Sequence, residues 1–176
     1  MGVGKSTAIQ RFLGNKFETK YQPTVKNTYN KKVAINKTEY SVTIVDTAGQ
    51  DETSLLDTLY SGTIDVYAIM FSVASQRSLE ITHVIRDKIL DISGIESQAM
   101  VLIGTKSDLK SEREVSESEA REVAASFGCS YFETSAKENF NIDEAFLSSI
   151  KIANKARSGD PFAANGLAAD DDKSTC

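Results

Sequence analysis

Cysteine, proline and histidine are nearly missing from this chain. Two cysteines, Cys129 and Cys176, in 176 residues are too few for a disulfide framework or a four-ligand metal site, which points to a reducing compartment. No apolar run approaches the roughly 18 residues of a membrane span, and the N-terminus carries glycines and a lysine where a secretory signal needs an apolar stretch. An excess of basic charge is lacking too. The 20 Lys plus Arg stand against 25 Asp plus Glu, a net charge of −5, which argues against nucleic acid as a partner. With 2 prolines and 10 glycines the composition is neither fibrous nor disordered. The one histidine, His83, lies on a helical stretch away from every motif and reads as a surface side chain. What is there is 40% apolar and 26% charged residues, enough for one core and one domain. A cytoplasmic protein with small-molecule or protein partners is expected.

Apolar periodicity switches repeatedly between about two and about 3.6, the pattern of alternating strands and helices. Ala8, Ile9, Phe12 and Leu13 share one face of a helix beginning around Lys5. A strand through Val33, Ala34 and Ile35, a short turn at Asn36 and Lys37, and a strand from Tyr40 to Val45 predict an antiparallel hairpin. Asp65 to Val73 and Ala99 to Gly104 are continuous apolar runs, as in parallel strands buried on both faces. Helices follow, from about Ser75 to Ile92 and from Ser116 to Gly128, the second with Glu119 in capping-box spacing. A strand from Cys129 to Thr134 precedes a last helix starting at Asn141. Cys129 reads as a small core residue. From Ser158 the chain turns to Gly, Ala, Asp and Ser, predicting a disordered tail over 158–176 after a domain spanning 1–157. The fold class is α/β: a doubly wound, mostly parallel sheet with one antiparallel edge hairpin.

Four segments at strand or loop ends carry chemistry. Gly2, Val3, Gly4, Lys5, Ser6 and Thr7 lead straight into a helix. Glycines turn backbone N–H groups toward one point, the helix N-terminus adds a favourable dipole and Lys5 a point charge, so these residues can cradle a polyphosphate. Ser6 would place its hydroxyl on Mg²⁺. In Asp46-Thr47-Ala48-Gly49-Gln50, Asp46 can hold a water of the Mg²⁺ shell, Gly49 can offer an N–H to a terminal phosphate and Gln50 can orient an attacking water. In Thr105-Lys106-Ser107-Asp108, Asp108 can accept both adjacent donors of a guanine edge, while Lys106 lays its stem along the base. Thr134-Ser135-Ala136-Lys137 can offer a backbone N–H to the guanine carbonyl. Each alone is also an ordinary polar turn. Their joint occurrence in this order makes the signal.

These motifs resemble those of the Ras superfamily of small GTPases, and the resemblance runs to about Arg157. It implies a P-loop G domain that binds GTP and GDP with Mg²⁺ and hydrolyses GTP slowly. Tyr21-Gln22-Pro23-Thr24 resembles the first switch, so Thr24 would ligate Mg²⁺ and sense the terminal phosphate, and Phe17 would pack against guanine. Residues after Gln50 through about Tyr60 would form the second switch. The resemblance further implies a monomer served by a GTPase-activating protein, a guanine nucleotide exchange factor and an effector. Pro23-Thr24-Val25-Lys26-Asn27-Thr28, Asp51-Glu52-Thr53-Ser54 and the stretch from Ser72 to Gly94 are most similar to the Ras and Rheb branch.

The sequence departs from that pattern in three places. The full phosphate-loop motif opens upstream of Met1 when its second glycine is Gly4. An incomplete loop, an absent first central strand, low stability and weak nucleotide binding are the corresponding expectations. Thr105 stands where asparagine is commonest, as in Rho-type proteins, so guanine selectivity is expected to survive with weaker base affinity. Lys173-Ser174-Thr175-Cys176 resembles the run-up to a prenylated cysteine, implying reversible association with the cytosolic face of an internal or plasma membrane. Two competing readings are a non-hydrolysing pseudo-GTPase or fragment acting as a binding module, and a P-loop kinase or ATPase, which Asp108 disfavours.

Overall fold

The computed structural model describes residues 2–18, 26–47, 64–93 and 98–157. Helix α1 (Lys5–Phe12) opens at Gly4, whose φ of 98° suits a residue without Cβ, and no side chain caps it. The hairpin forms as the sequence predicts, with β1 (Lys26–Ile35) antiparallel to β2 (Thr38–Thr47) and Ile35 opposite Thr38. Asn36 and Lys37 both take positive φ, 49° and 68°, as a two-residue type I′ turn requires to match the twist of its strands.

Strands β3 (Tyr67–Ser72), β4 (Met100–Thr105) and β5 (Ser130–Glu133) pair in parallel in the order β3-β4-β5. Helices α2 (Gln76–Ser93), α3 (Glu117–Phe127) and α4 (Ile142–Arg157) complete the alternation. All six residues of β4 are buried because both faces of the strand are covered. On one face Met70, Val101 and Ile103 join Ile9 and Phe12 of α1 and Ala145, Phe146 and Ile150 of α4. On the other, Ile69, Phe71, Met100 and Leu102 meet Leu79 and Ile89 of α2 and Ala120 and Ala124 of α3. Phe12 and Phe146 stack at 4.5 Å between ring centroids, fastening α1 to α4. Cys129 packs against the second cluster, where burial pushes its thiol up to about 11. His83 is exposed on α2, edge-on to Phe127.

Several details differ from expectation. Ser116 accepts the Glu119 N–H at 3.2 Å, but the Glu119 carboxylate does not fold back to close a capping box. It accepts instead from Gln76 Nε2 at 2.6 Å, joining α3 to α2. Asn141, at φ 57°, does not cap α4 with its side-chain oxygen; its Nδ2 donates to the Glu133 carbonyl at 3.0 Å. The structure is α/β with an antiparallel hairpin and a three-stranded parallel sheet, as the sequence predicts, and among the described residues the two share no ladder. A cleft of about 1210 Å³ runs beside both, lined by residues 40–47 and 64–70. Gly104 on β4 has no room for a side chain, since a Cβ there would sit 2.7 Å from Tyr131 Oη and 3.1 Å from Phe71 Cζ. Among the described residues no helix is long and apolar enough to cross a membrane.

Candidate functional site

The candidate site forms at the loops that leave the C-terminal ends of the strands, where doubly wound sheets place their ligands. Its first half gathers around the start of α1. With no side-chain cap at Gly4, the first N–H groups of the helix keep their capacity for an anion. Lys5 and Ser6 open that helix beside Asp46, near the end of β2. Asp46 is 1% exposed, and neither carboxylate oxygen has a well-formed hydrogen bond. Burial raises its pKa above the ordinary carboxylate value, against the pull of the Ser6 hydroxyl and the Lys5 ammonium. Burial likewise lowers the pKa of Lys5, opposed by Asp46. In both groups desolvation outweighs their mutual attraction, as it does when two charges leave water without a full set of partners.

A buried carboxylate with spare lone pairs next to a serine hydroxyl is a donor set of hard oxygens that fits Mg²⁺, an ion that keeps several waters and takes few protein ligands. Among the described residues no cluster of three or more His, Cys, Asp or Glu residues converges as a metal cage.

The second half is built by the loops after β4 and β5. Ser107 N–H donates to the Thr134 carbonyl at 3.1 Å. Ser135 Oγ donates to Asp108 Oδ1 at 2.6 Å, and Lys137 Nζ lies 3.9 Å from Oδ2. The Asp108 side chain is 8% exposed, and these contacts fall one on each of its carboxylate oxygens. Ser135 N–H is spent on the Phe140 carbonyl at 3.0 Å. Within Ser135-Ala136-Lys137, the expected backbone donor toward a base therefore falls to Ala136 or Lys137 rather than Ser135.

Thr105 joins the two halves. Its hydroxyl meets both the Val3 carbonyl of the phosphate loop and the Phe71 carbonyl of β3, the latter at 2.8 Å. A hydroxyl has one proton to give, so the two carbonyls share it. The Thr105 side-chain oxygen is thereby engaged with the backbone of the loop before α1 and of β3. The Lys106 stem also passes close to Gly4, within 3.9 Å of where a Cβ would stand.

Thus Gly2, Val3, Gly4, Lys5, Ser6 and Thr7 fall in the loop and first turn of α1, and Asp108, Ser135 and Lys137 converge. Phe17 is 37% exposed, and no hydrogen bond or ring contact joins it to the loops after β4 and β5. Thr24, Gly49, Gln50, Cys176, both switch segments and the tail lie outside the described residues. Sequence reading missed the Arg113 and Glu133 pair, whose hydrogen bonds at 3.1 and 2.5 Å link residues twenty apart. No spacing rule signals such a contact.

Residues 1–155 match the Ras family. The chain is 42% identical over 157 residues to the GTP-binding protein Rheb homolog of Dictyostelium discoideum, covering 89% of this chain and 85% of that one. It is 43% identical over 145 residues to the small monomeric GTPase RhbA of Aspergillus fumigatus, covering 82% and 78%. To the GTP-binding protein Rheb of Homo sapiens it is 39% identical over 153 residues, covering 87% and 83%.

Proposed function

Because this chain belongs to the Ras family, we propose that it is a Rheb-like molecular switch that binds GTP and GDP with Mg²⁺ and hydrolyses GTP slowly. The observation that carries this reading is Asp46: a buried carboxylate without a well-formed hydrogen bond, beside Lys5 and Ser6 at the uncapped start of α1. Lys5 and the N–H groups of the loop and first helical turn, from Gly2 to Thr7, hold the β and γ phosphates. Ser6, Thr24 and, through water, Asp46 hold Mg²⁺. When bound, the ion neutralises charge on the phosphate oxygens and fixes their orientation. Gln50 orients the attacking water and Gly49 offers its N–H to the terminal phosphate.

At the other end, Asp108 accepts the two adjacent donors of guanine, steadied by Ser135, while Lys106, Phe17 and Ala136 contact the base. Arg11 lies within α1 rather than in the loop after it, so it does not serve as a built-in arginine finger. Intrinsic turnover is accordingly slow, and an activating protein supplies roughly 10³ to 10⁵ in rate. Loading with GTP orders both switch segments for an effector, and an exchange factor resets the cycle.

The test is to purify the chain in Mg²⁺ buffer, denature it and chromatograph the released nucleotide. Guanine nucleotide, either retained through purification or taken up from added GDP, is the expected result. Adenine nucleotide, or no nucleotide together with no uptake of added GDP, would overturn the proposal.

A further inference from the structure

Among the described residues, the two loops that carry Asp108 and Ser135 are held to each other by the Ser107 N–H to Thr134 O and Ser135 Oγ to Asp108 Oδ1 hydrogen bonds and by Lys137 Nζ near Asp108 Oδ2, while Thr134 N–H and Oγ1 both donate to Gly104 O at the end of β4. Farther along, the same loops meet again. Arg113, where the first loop returns toward α3, presents its guanidinium as a fork to Glu133, the residue from which the second loop departs. Nη1 reaches Oε2 at 3.1 Å and Nη2 reaches Oε1 at 2.5 Å.

The pair is braced on every side. Arg113 Nη1 also donates to the Val115 carbonyl at 3.0 Å. Tyr131 Oη donates to Glu133 Oε2 at 3.0 Å, and Tyr131 is itself set against Gly104 beneath an Arg121 guanidinium 5.7 Å from its ring. Asn141 Nδ2 holds the Glu133 carbonyl at 3.0 Å, tying in the far end of the second loop. The Arg113 and Glu133 side chains are 28% and 18% exposed. A two-pronged, half-buried pair of this kind is stronger and more directional than a surface ion pair. Burial alone would raise the Glu133 pKa, yet the hydrogen bonds from Arg113 and Tyr131 outweigh it and the value is lowered.

We propose that Arg113 and Glu133 are positioning residues for base selection: their fork fixes the spacing of the two loops so that Asp108 meets guanine with both carboxylate oxygens. This rests on the switch reading above. Recognition of two adjacent N–H donors by one carboxylate tolerates little rotation, because tilting either oxygen out of line weakens its bond steeply. With the fork removed, the Asp108 plane rests on the Ser135 hydroxyl at Oδ1 and the longer Lys137 contact at Oδ2. Hypoxanthine keeps the ring N–H of guanine but lacks the exocyclic amine, so it needs one of the two oxygens and tolerates the tilt.

Dissociation rates of GDP and of inosine diphosphate, measured side by side on the whole chain, separate positioning from stability. In Arg113→Gln and in Glu133→Gln, GDP release is expected to rise about tenfold and inosine diphosphate release by about twofold, shrinking the preference between them. The double variant should be no worse than either single one. Arg113→Lys keeps the charge without the fork, and should lose part of the preference in the same direction. Equal acceleration of both nucleotides would mean a general loss of stability and would overturn the inference. So would an unchanged ratio in Arg113→Lys, a variant mild enough to fold. If the unaltered chain holds GDP no better than ADP, the switch reading fails first and this inference fails with it.

Discussion

The two ends of the proposed nucleotide site treat their carboxylates in opposite ways. At the base end, Asp108 receives the Ser135 hydroxyl and has Lys137 nearby, and the loops that carry it are cross-linked by Ser107, Thr134, Arg113 and Glu133. At the phosphate end, Asp46 is more deeply buried yet has no well-formed hydrogen bond. The helix beside it starts on a glycine with no side-chain cap, whereas α3, remote from the site, starts on Ser116 with its hydroxyl in place. The difference teaches that the base end is set by the protein's own contacts, while the phosphate end carries a stability cost that a cation and an anion together can offset.

The largest expected effect breaks the phosphate end. Lys5→Ala removes the side-chain charge proposed to hold the phosphates, and guanine nucleotide affinity, followed by a fluorescent GDP analogue, should fall by roughly a hundredfold or more. Retention of tight binding would mean that the loop N–H groups suffice and that the end is less dependent on charge than Asp46 suggests.

The next effect addresses the base end. Asp108→Asn replaces an acceptor oxygen by a donor amide, so competition between GTP and xanthosine triphosphate should shift toward xanthine by about a hundredfold or more. An unchanged preference would remove Asp108 from the base site altogether.

The smallest effect sharpens the contrast in stability. Asp46→Asn relieves a buried charge while keeping the shape, so the ligand-free chain should gain about 1 kcal/mol, or some 2–4 °C in Tm. Lys5 then loses its counter-charge, which limits the gain. The pH dependence carries a sign. The folded state binds the Asp46 proton more tightly than the unfolded chain, so its contribution is present below about 3.8 and is lost as pH rises through the raised value. Lys5 runs the other way: the folded state gives up its proton more readily, so stability rises with pH between its lowered value and 10.5. Thermal melts across pH should show the acid-side decline in the parent chain and not in Asp46→Asn. A lower Tm for that variant would mean that Asp46 is already satisfied, and the contrast between the two ends would collapse.

Much of this arrangement is legible in the sequence because it is written locally. Asn36-Lys37 between alternating runs gives the hairpin, the unbroken apolar runs give β3 and β4, and Ser116 with Gly128 brackets α3. The phosphate loop and Asp108 are legible because helix starts and strand ends leave their backbone and side-chain groups facing outward. What was not legible depends on which distant segments meet. Thr105 could be placed beside a base by motif, but only the folded chain brings its hydroxyl to Val3. Glu119 fits a capping box until Gln76 competes for its carboxylate. Ladder pairing between the hairpin and the parallel strands cannot be read from periodicity.

Gly104 makes the sheet and the loops after β4 and β5 mechanically one. A Cβ there would stand 2.7 Å from the Tyr131 hydroxyl, the same hydroxyl that donates to Glu133. A side chain added at 104 would therefore push first on the brace of the Arg113 and Glu133 pair, so that a change buried within β4 would be felt at both loops beyond the sheet.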